Sequence, residues 1–454
     1  MASNIKSMTS GNPARLIFSF SLPLMAGNIF QQLYTVVDTM VVGKFLGVNA
    51  LAALGASDWL NWMMLGIIQG FTQGFAIQMA QEFGAGKYAQ LKRSVGNACV
   101  LSLVFAFVLL IIGQLFAKPV LLLLQTPDKI LSDSLLYIRV LFAGIPIVMV
   151  YNLEACILRS LGDSKTPLTA MVIASLTNIG LDFLFVFGFR WGIAGAAVAT
   201  LIAQVISGIY CFYHIRKIEL LHLSRADFSP EQRLVGRLLY LGSPMAFQNA
   251  IIAVGGMIIQ FVVNKVGVLF IAGFTATNKL YGLLEIAATS YGYAVVTYVG
   301  QNLGAGKTKR IREGVRSALL IATVTSIVIA AIMLLFGKLI LSGFISGTPE
   351  EVREALKIAY FYLAIMSVCL PILYLLHVIR SAIQGIGNTF LPMLSGIAEF
   401  VMRTGTVLLL PLLVGDVGIF FAEIAAWTGA DIVLLISYFY ILHKLPKEQE
   451  SAMQ

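Results

Sequence analysis

Charged side chains are scarce in this sequence. They make up 12% of the 454 residues, whereas a water-soluble protein carries about 25%. Hydrophobic residues make up 58%, and apolar runs of roughly 20 residues, each long enough to cross a bilayer, recur along the whole chain. The composition therefore excludes a soluble protein and predicts an all-α integral membrane protein.

Cysteine and enzyme motifs are scarce as well. The four cysteines are scattered through predicted helices without the spacing of metal ligands. Neither a His-Glu-x-x-His nor a Gly-x-Ser-x-Gly motif occurs. Gln301 to Thr308 resembles a phosphate-binding loop, but Gln301 stands where that loop requires its first glycine. We therefore expect no catalytic residues and no cofactor, and an integral membrane enzyme is a minor alternative.

Basic residues exceed acidic ones, giving a formal net charge of +9. They lie mostly in the connections between apolar segments, so they predict membrane topology and not nucleic acid binding. The positive-inside rule puts both termini and the connection 216–237 in the cytoplasm of what we expect to be a bacterial cell membrane. Residues 1–15 lack the apolar core of a cleaved signal peptide, so the first span is expected to remain.

The apolar segments predict twelve transmembrane helices without a soluble domain between them. They group into an N-terminal lobe (1–215), a cytoplasmic linker (216–237) and a C-terminal lobe (238–454). The predicted spans are 16–43, 50–80, 94–117, 131–160, 166–189, 191–215, 238–265, 269–299, 314–343, 354–383, 390–414 and 417–442.

The two predicted lobes repeat the same sequence features. The run from Gln81 to Lys87 returns as Gln301 to Lys307, and both copies contain Gly-Ala-Gly-Lys. Pro23 in the first span matches Pro244 in the seventh. An even number of spans per lobe gives both lobes the same orientation, so we expect pseudo-symmetry about an axis along the membrane normal, with a cavity between the lobes.

Four polar residues of the first lobe fall into one depth layer. They lie in three spans: at 1.5 Å per residue, three of them are about 8 to 13 Å below the outer membrane surface, and Asn178 is one turn deeper than Asp182. Carboxylate, amide and hydroxyl oxygens are ligands that Na⁺ accepts, and two close carboxylates also form a proton site. Hydrogen bonding between helices is the structural alternative. These candidate cation ligands are Asp38, Asn178, Asp182 and Thr200.

Other polar residues in the spans suggest a place for the substrate. A glutamate with aromatic neighbours suits an organic cation, although Lys279 is an alternative partner for Glu285. His377 is either a packing residue or a titrating one. Glu399 and Arg403, four residues apart, are expected to form an ion pair, and Glu423 accompanies them. The candidate cavity residues are Gln31, Tyr34, Asn278, Tyr281 and Glu285.

Across nearly its full length the chain resembles the multidrug and toxic compound extrusion (MATE) transporters. The resemblance rests on Pro23, the run from Gln31 to Asp38, the paired Gly-Ala-Gly-Lys loops and the run from Arg159 to Pro167. It implies twelve spans in two six-helix lobes. The candidate cation ligands match the first-lobe site of the DNA-damage-inducible branch, whereas the acidic residue that another branch has in span seven is absent here.

The resemblance implies a secondary antiporter that exports small, often cationic organic compounds while Na⁺ or H⁺ enters. We expect it to work as a monomer in membrane lipid without an obligate protein partner. A flippase for lipid-linked sugars, which belongs to the same superfamily, is the main functional alternative.

Overall fold

The computed structural model describes residues 4–345 and 348–444, except for the side chains of Val48 and Val268. Within these ranges the chain is helical and contains no strand, as predicted. The α-helices are α1 (Pro13–Leu46), α2 (Val48–Gly84), α3 (Tyr88–Leu123), α4 (Asp128–Ala143), α5 (Ile145–Ser160), α6 (Lys165–Asp182), α7 (Ile193–Arg216), α8 (Gln232–Val263), α9 (Val268–Gly304), α10 (Thr308–Ser342), α11 (Pro349–Val368), α12 (Leu370–Gly385), α13 (Phe390–Leu409), α14 (Pro411–Val414) and α15 (Ala422–Lys444).

A helix, or a pair of successive helices, occupies each of the twelve predicted spans. In the described part of the chain, nine helices are long and apolar enough to cross a membrane, and two bent pairs raise this number to eleven. The remaining span is α9, which is 37 residues long. Its polar residues, among them Asn278, Lys279 and Glu285, lower its mean hydropathy.

Two of the predicted spans are broken in the middle. The axis bends by 49° between α4 and α5 and by 48° between α11 and α12. Each break precedes a proline near the start of the second helix, Pro146 in α5 and Pro371 in α12. Proline lacks the amide hydrogen that the preceding turn would bind, which explains the bend. Since these are the fourth and tenth spans, the bends occupy equivalent places in the predicted repeat.

The chain forms two compact units. Unit 1 comprises Met1–Ser7 and Leu22–Ala246, and unit 2 comprises Met8–Ser21 and Phe247–Gln454. Helices α1 and α8 therefore each contribute residues to both units. The connection 216–237 belongs to unit 1, while the lobe boundaries expected from the sequence stay a prediction.

The connection between α7 and α8 is attached to α3 through its backbone. Asn97 donates from Nδ2 to the carbonyl oxygens of Asp227 (3.3 Å) and Ser229 (3.2 Å) and accepts from the amide of Glu231 (3.1 Å). A Cβ at Gly96 would lie 2.2 Å from the Asp227 oxygen, so only glycine permits this approach. The connection is thus an ordered part of unit 1.

In unit 2, the loop that resembles a phosphate-binding motif holds the N-terminal segment. The amide of Met8 donates to Gln301 Oε1 (2.8 Å), and its carbonyl oxygen accepts from Asn302 Nδ2 (3.1 Å). Lys307 Nζ donates to the carbonyl oxygen of Thr9 at 2.9 Å. These polar side chains therefore have a structural use that does not involve phosphate.

Candidate cation site

The two membrane aspartates predicted from the sequence lie side by side in unit 1. Asp38 on α1 is 7% exposed, and Asp182, the last residue of α6, has no exposed surface. Their carboxyl groups are within hydrogen-bonding reach of each other. Otherwise no donor of the described residues reaches Asp38 Oδ1 or either oxygen of Asp182. Two ionised carboxylates so close together repel strongly away from water, so the pair needs a proton or a bound cation.

The other two predicted ligands also contact each other. Asn178, one turn before Asp182 on α6, donates from Nδ2 to Thr200 Oγ1 on α7 at 3.4 Å. Thr200 donates its hydroxyl hydrogen to the carbonyl oxygen of Ala196 at 3.1 Å. Asn178 Oδ1 is buried and has no hydrogen-bond partner among the described residues. An amide oxygen and a hydroxyl oxygen therefore remain available to a cation near the acidic pair.

The helix geometry changes directly after Asp182. Phe183–Gly188 forms a π-helical turn, and the amide of Phe189 donates to the carbonyl oxygen of Leu184 at 2.8 Å, five residues back. Such wide turns are rare and are frequently found at functional sites. This turn follows the end of α6 that carries Asp182, which adds an independent indication that this region is functional.

A cleft with about 350 Å³ of empty space opens beside these residues in unit 1. Asn178 and Thr200 line it together with Gln31 and Tyr34 from α1. The structure thus brings two of the predicted cavity residues to the same cleft as two of the predicted cation ligands. Tyr151 from α5 and Gln204 from α7 also line the cleft.

Sequence reasoning missed two polar residues of this region. Tyr137 on α4 is buried and lies within electrostatic range of Asp38 and Asp182. Gln204 has a buried Oε1 without a hydrogen-bond partner among the described residues. Tyrosine and glutamine are tolerated at many places in a membrane helix. The sequence alone therefore could not distinguish a functional role of Tyr137 and Gln204 from a packing role.

Unit 2 has a different polar centre, in which charges are paired. Glu399 and Arg403 on α13 form the expected ion pair at 2.9 Å. Arg403 also binds Glu423 at 2.7 Å, and Arg380 from α12 binds Glu399 at 2.8 Å. Asp431 on α15 is 5% exposed, and both of its oxygens lack a hydrogen-bond partner in the described ranges. Arg380 and Asp431 were not predicted as members of this centre.

The other predicted cavity residues lie on α9 in unit 2. Glu285 Oε1 is 3.6 Å from His377 Nε2, whereas Lys279 is exposed and forms no ion pair with Glu285 in the described part of the chain. Asn278 is half-buried, and the Tyr281 ring stacks on Trp427 with 6.0 Å between centroids. The partner of Glu285 is thus a histidine and not the lysine considered from the sequence. A substrate role for these residues stays a prediction.

Comparison with known proteins identifies similar sequences and folds. The MatE family model matches residues 23–184 and again residues 244–407. The chain is 31% identical to "Probable multidrug resistance protein YpnP" of Bacillus subtilis, covering 78% of this chain and 80% of that protein. It is 25% identical to a "FAD transporter" of Shewanella oneidensis, covering 78% of both.

Among solved structures, the fold is similar to one described as the outward-facing conformation of a multidrug resistance MATE family transporter of the MOP superfamily. The TM-score is 0.91 at 22% identity, and the match covers 98% of this chain and 99% of that one. The double match of one family model agrees with the internal repeat predicted from the sequence.

Proposed function

Because the chain belongs to the MatE family, whose members are membrane transporters and not enzymes, we propose that it is a multidrug efflux antiporter. It exports small, mostly cationic organic compounds while H⁺ or Na⁺ enters through the site formed by Asp38, Asn178, Asp182 and Thr200. The resemblance to MATE transporters seen in the sequence is confirmed by the family model. The narrower assignment to the DNA-damage-inducible branch stays a prediction.

The single observation that carries this proposal is the acidic pair in unit 1. Asp38 and Asp182 are buried together, and no described basic side chain forms an ion pair with either. A carboxylate at membrane depth is costly and is retained where it binds an ion or a substrate. The relative named a multidrug resistance protein supports organic compounds as the exported class.

Cation entry is coupled to export because the cation and the exported compound favour different states of the transporter. Binding of H⁺ or Na⁺ at the acidic pair favours the state with lower affinity for the exported compound, since a ligand shifts an equilibrium only by its differential affinity for the two states. Alternating access then exposes the site to each side of the membrane in turn. We further propose a bacterial inner membrane location, cytoplasmic termini and a monomer as the working unit.

The test is efflux of ethidium, a fluorescent organic cation, from proteoliposomes under separately imposed Na⁺ and pH gradients. Asp38→Asn removes one ionisable carboxyl group but keeps a side chain of nearly the same size. We expect wild-type efflux under one of the gradients and loss of that efflux in the variant. Asp128→Asn, which changes an exposed acid at the start of α4, is the matched control and should keep wild-type efflux.

Membrane insertion and expression of the variant should equal those of the wild type, because the substitution relieves repulsion and breaks no ion pair. Unchanged ethidium efflux by Asp38→Asn at equal protein level would contradict the proposal. Absence of efflux under both gradients for the wild type would contradict the antiporter function itself.

A further inference from the structure

Three further buried carboxylates, those of Glu82, Glu154 and Asp163, lie in unit 1 outside the cation site. Glu154 on α5 is 8% exposed, and its Oε2 has no hydrogen-bond partner among the described residues. It packs against Gly208 of α7, where a Cβ would lie 3.5 Å from Oε2. Burying a carboxylate oxygen without a partner is costly, so Glu154 is a candidate for a role beyond packing.

Among the described residues, the surroundings of Glu154 include thiols and no ion-pair partner. Helix α5 packs against α2, α3, α6 and α7, and the titratable groups in electrostatic range of Glu154 are the thiols of Cys99 on α3 and Cys211 on α7. Arg159, one turn further along α5, donates to Cys156 Sγ at 3.0 Å. Both Arg159 and Asp163 are within electrostatic range of the Cys211 thiol. In the described part of the chain, Glu154 takes part in no ion pair.

Helix register places Glu154 next to the cleft that adjoins the cation site. Tyr151 precedes Glu154 by three residues on α5, and Gln204 precedes Gly208 by four residues on α7, so both lie one turn away on the same helix faces. Tyr151 and Gln204 line the cleft. Along α7, Thr200 and Gly208 are separated by about 12 Å at 1.5 Å per residue.

Tyrosines connect the acidic pair to this end of the cleft. Tyr34 lies within electrostatic range of Asp38 and Asp182, and Tyr151 lies within range of both Tyr34 and Cys211. A series of polar side chains, the polar path, therefore extends from the acidic pair along the cleft towards Glu154. Helices α5 and α7 continue from there to ends that carry Arg159 and Arg216.

We propose that Glu154 is the inner proton carrier of unit 1. It accepts the proton that the Asp38–Asp182 pair releases and passes it to the cytoplasm. The ionised carboxylate forms one O–H bond, becomes neutral, and then loses the same proton to water, so nothing else is consumed. This inference rests on the proposed antiport function and specifies H⁺ as the ion that is moved. Glu154 is a relay residue and does not contact the exported compound.

The relay makes a prediction that a structural role does not. Net efflux driven by a pH gradient requires proton binding and release in every cycle, whereas exchange of internal for external ethidium proceeds on the ethidium-bound transporter and needs neither step. We expect Glu154→Gln to slow pH-driven ethidium efflux roughly tenfold or more and to leave ethidium exchange at the wild-type rate. Glu154→Asp, which keeps a carboxyl group, should restore a large part of the net efflux.

Glu82→Gln is the matched control. Glu82 is a buried acid near the end of α2 in the same unit, accepts a hydrogen bond from Gln78 Nε2 at 2.8 Å and lies outside the polar path. Its variant should keep both net efflux and exchange.

Several outcomes would overturn the relay. They are wild-type net efflux in Glu154→Gln, equal loss of efflux and exchange in that variant, or wild-type transport driven by Na⁺ alone. If Asp38→Asn also transports normally, the proposed function fails. If Asp38→Asn is inactive while Glu154→Gln is normal, only the relay fails.

Discussion

At the scale of single residues, the buried ion pairs of unit 2 lead to a prediction about stability. Arg403 is 4% exposed and bridges Glu399 and Glu423. Arg403→Leu removes the positive charge and leaves two carboxylates without that partner in an apolar environment. Such a loss costs about 3–5 kcal/mol, so we expect a clearly lower midpoint of thermal unfolding for the purified protein in detergent.

The control for this measurement is Arg93→Leu. Arg93 pairs with Glu231 at 3.5 Å, and the two side chains are 62% and 49% exposed. A pair of this kind contributes less than about 1 kcal/mol, so its loss should change the unfolding midpoint only slightly. Equal midpoints for the two variants would show that the unit 2 network does not stabilise the fold.

The sequence predicts some of these residues and not others for a physical reason. Asp38 and Asp182 stand out because ionisable groups are rare inside apolar segments, and counting residues along each span gives their depth. Glu154 and Arg380 are also ionisable residues of predicted spans, but depth does not reveal which way a helix is turned, so neither they nor Tyr137 could be assigned to a site. In a membrane both the buried and the lipid-facing sides of a helix are apolar, so the sequence carries little information about rotation.

At the scale of helices, the twelve predicted spans coincide with the observed elements, but their interruptions were not predicted. The bend before Pro146 lies inside one predicted span, and the bend before Pro371 lies inside another. Proline is frequent in membrane helices, where neighbouring groups satisfy the freed backbone carbonyl. Its presence therefore does not distinguish a bend from a continuous helix. The π-helical turn after Asp182 has no sequence signal of its own.

The connection between α7 and α8 gives a prediction with a defined pH dependence. Asp227 accepts hydrogen bonds from the Ser224 amide (2.7 Å) and the Ser224 hydroxyl (2.8 Å), and these bonds lower the pKa of Asp227 below its usual value. The ionised form thus stabilises the folded turn. That contribution is complete above the ordinary aspartate pKa of about 3.9 and is lost as the pH falls through the lower folded value.

The measurement is amide hydrogen exchange of residues 224–229 in the purified protein. Asp227→Asn should speed exchange there at neutral pH, because an amide side chain accepts these bonds less strongly than a carboxylate. The wild type should keep its protection between pH 7 and about pH 5. Glu219→Gln, at an exposed acid of the same connection, should leave exchange unchanged. Faster exchange in both variants would mean that the capping bonds are not responsible.

At the scale of the whole molecule, the two halves share a fold but differ in chemistry. One family model matches both, and both have a bent span at the equivalent place. Unit 1 has buried carboxylates without ion-pair partners in the described ranges, whereas Arg380 and Arg403 of unit 2 are bound to glutamates. The repeat could be predicted because matching glycines and prolines recur in the two halves of the sequence. The difference in charge pairing could not be predicted, because it depends on which side chains contact each other in the folded protein.

This charge distribution predicts the class of compound that is exported. Asp38, Asp182 and Glu154 place up to three negative charges in unit 1, and the guanidinium groups of Arg380 and Arg403 already have carboxylate partners. Negative charge beside the cleft of unit 1 favours cations and disfavours phosphates, because like charges repel strongly away from water. We therefore expect other organic cations to compete with ethidium efflux from proteoliposomes, and FAD and lipid-linked pyrophosphates not to compete.

The FAD measurement matters because one relative is named an FAD transporter, and the lipid measurement because flippases for lipid-linked sugars are the main alternative. Expression of this chain in a flippase-deficient strain should not restore growth, while it should raise the tolerance of a drug-sensitive strain to ethidium. Restored growth of the first strain that disappears in Asp38→Asn would assign the acidic pair to lipid transport. The organic-cation proposal would then be wrong even though the cation site is in use.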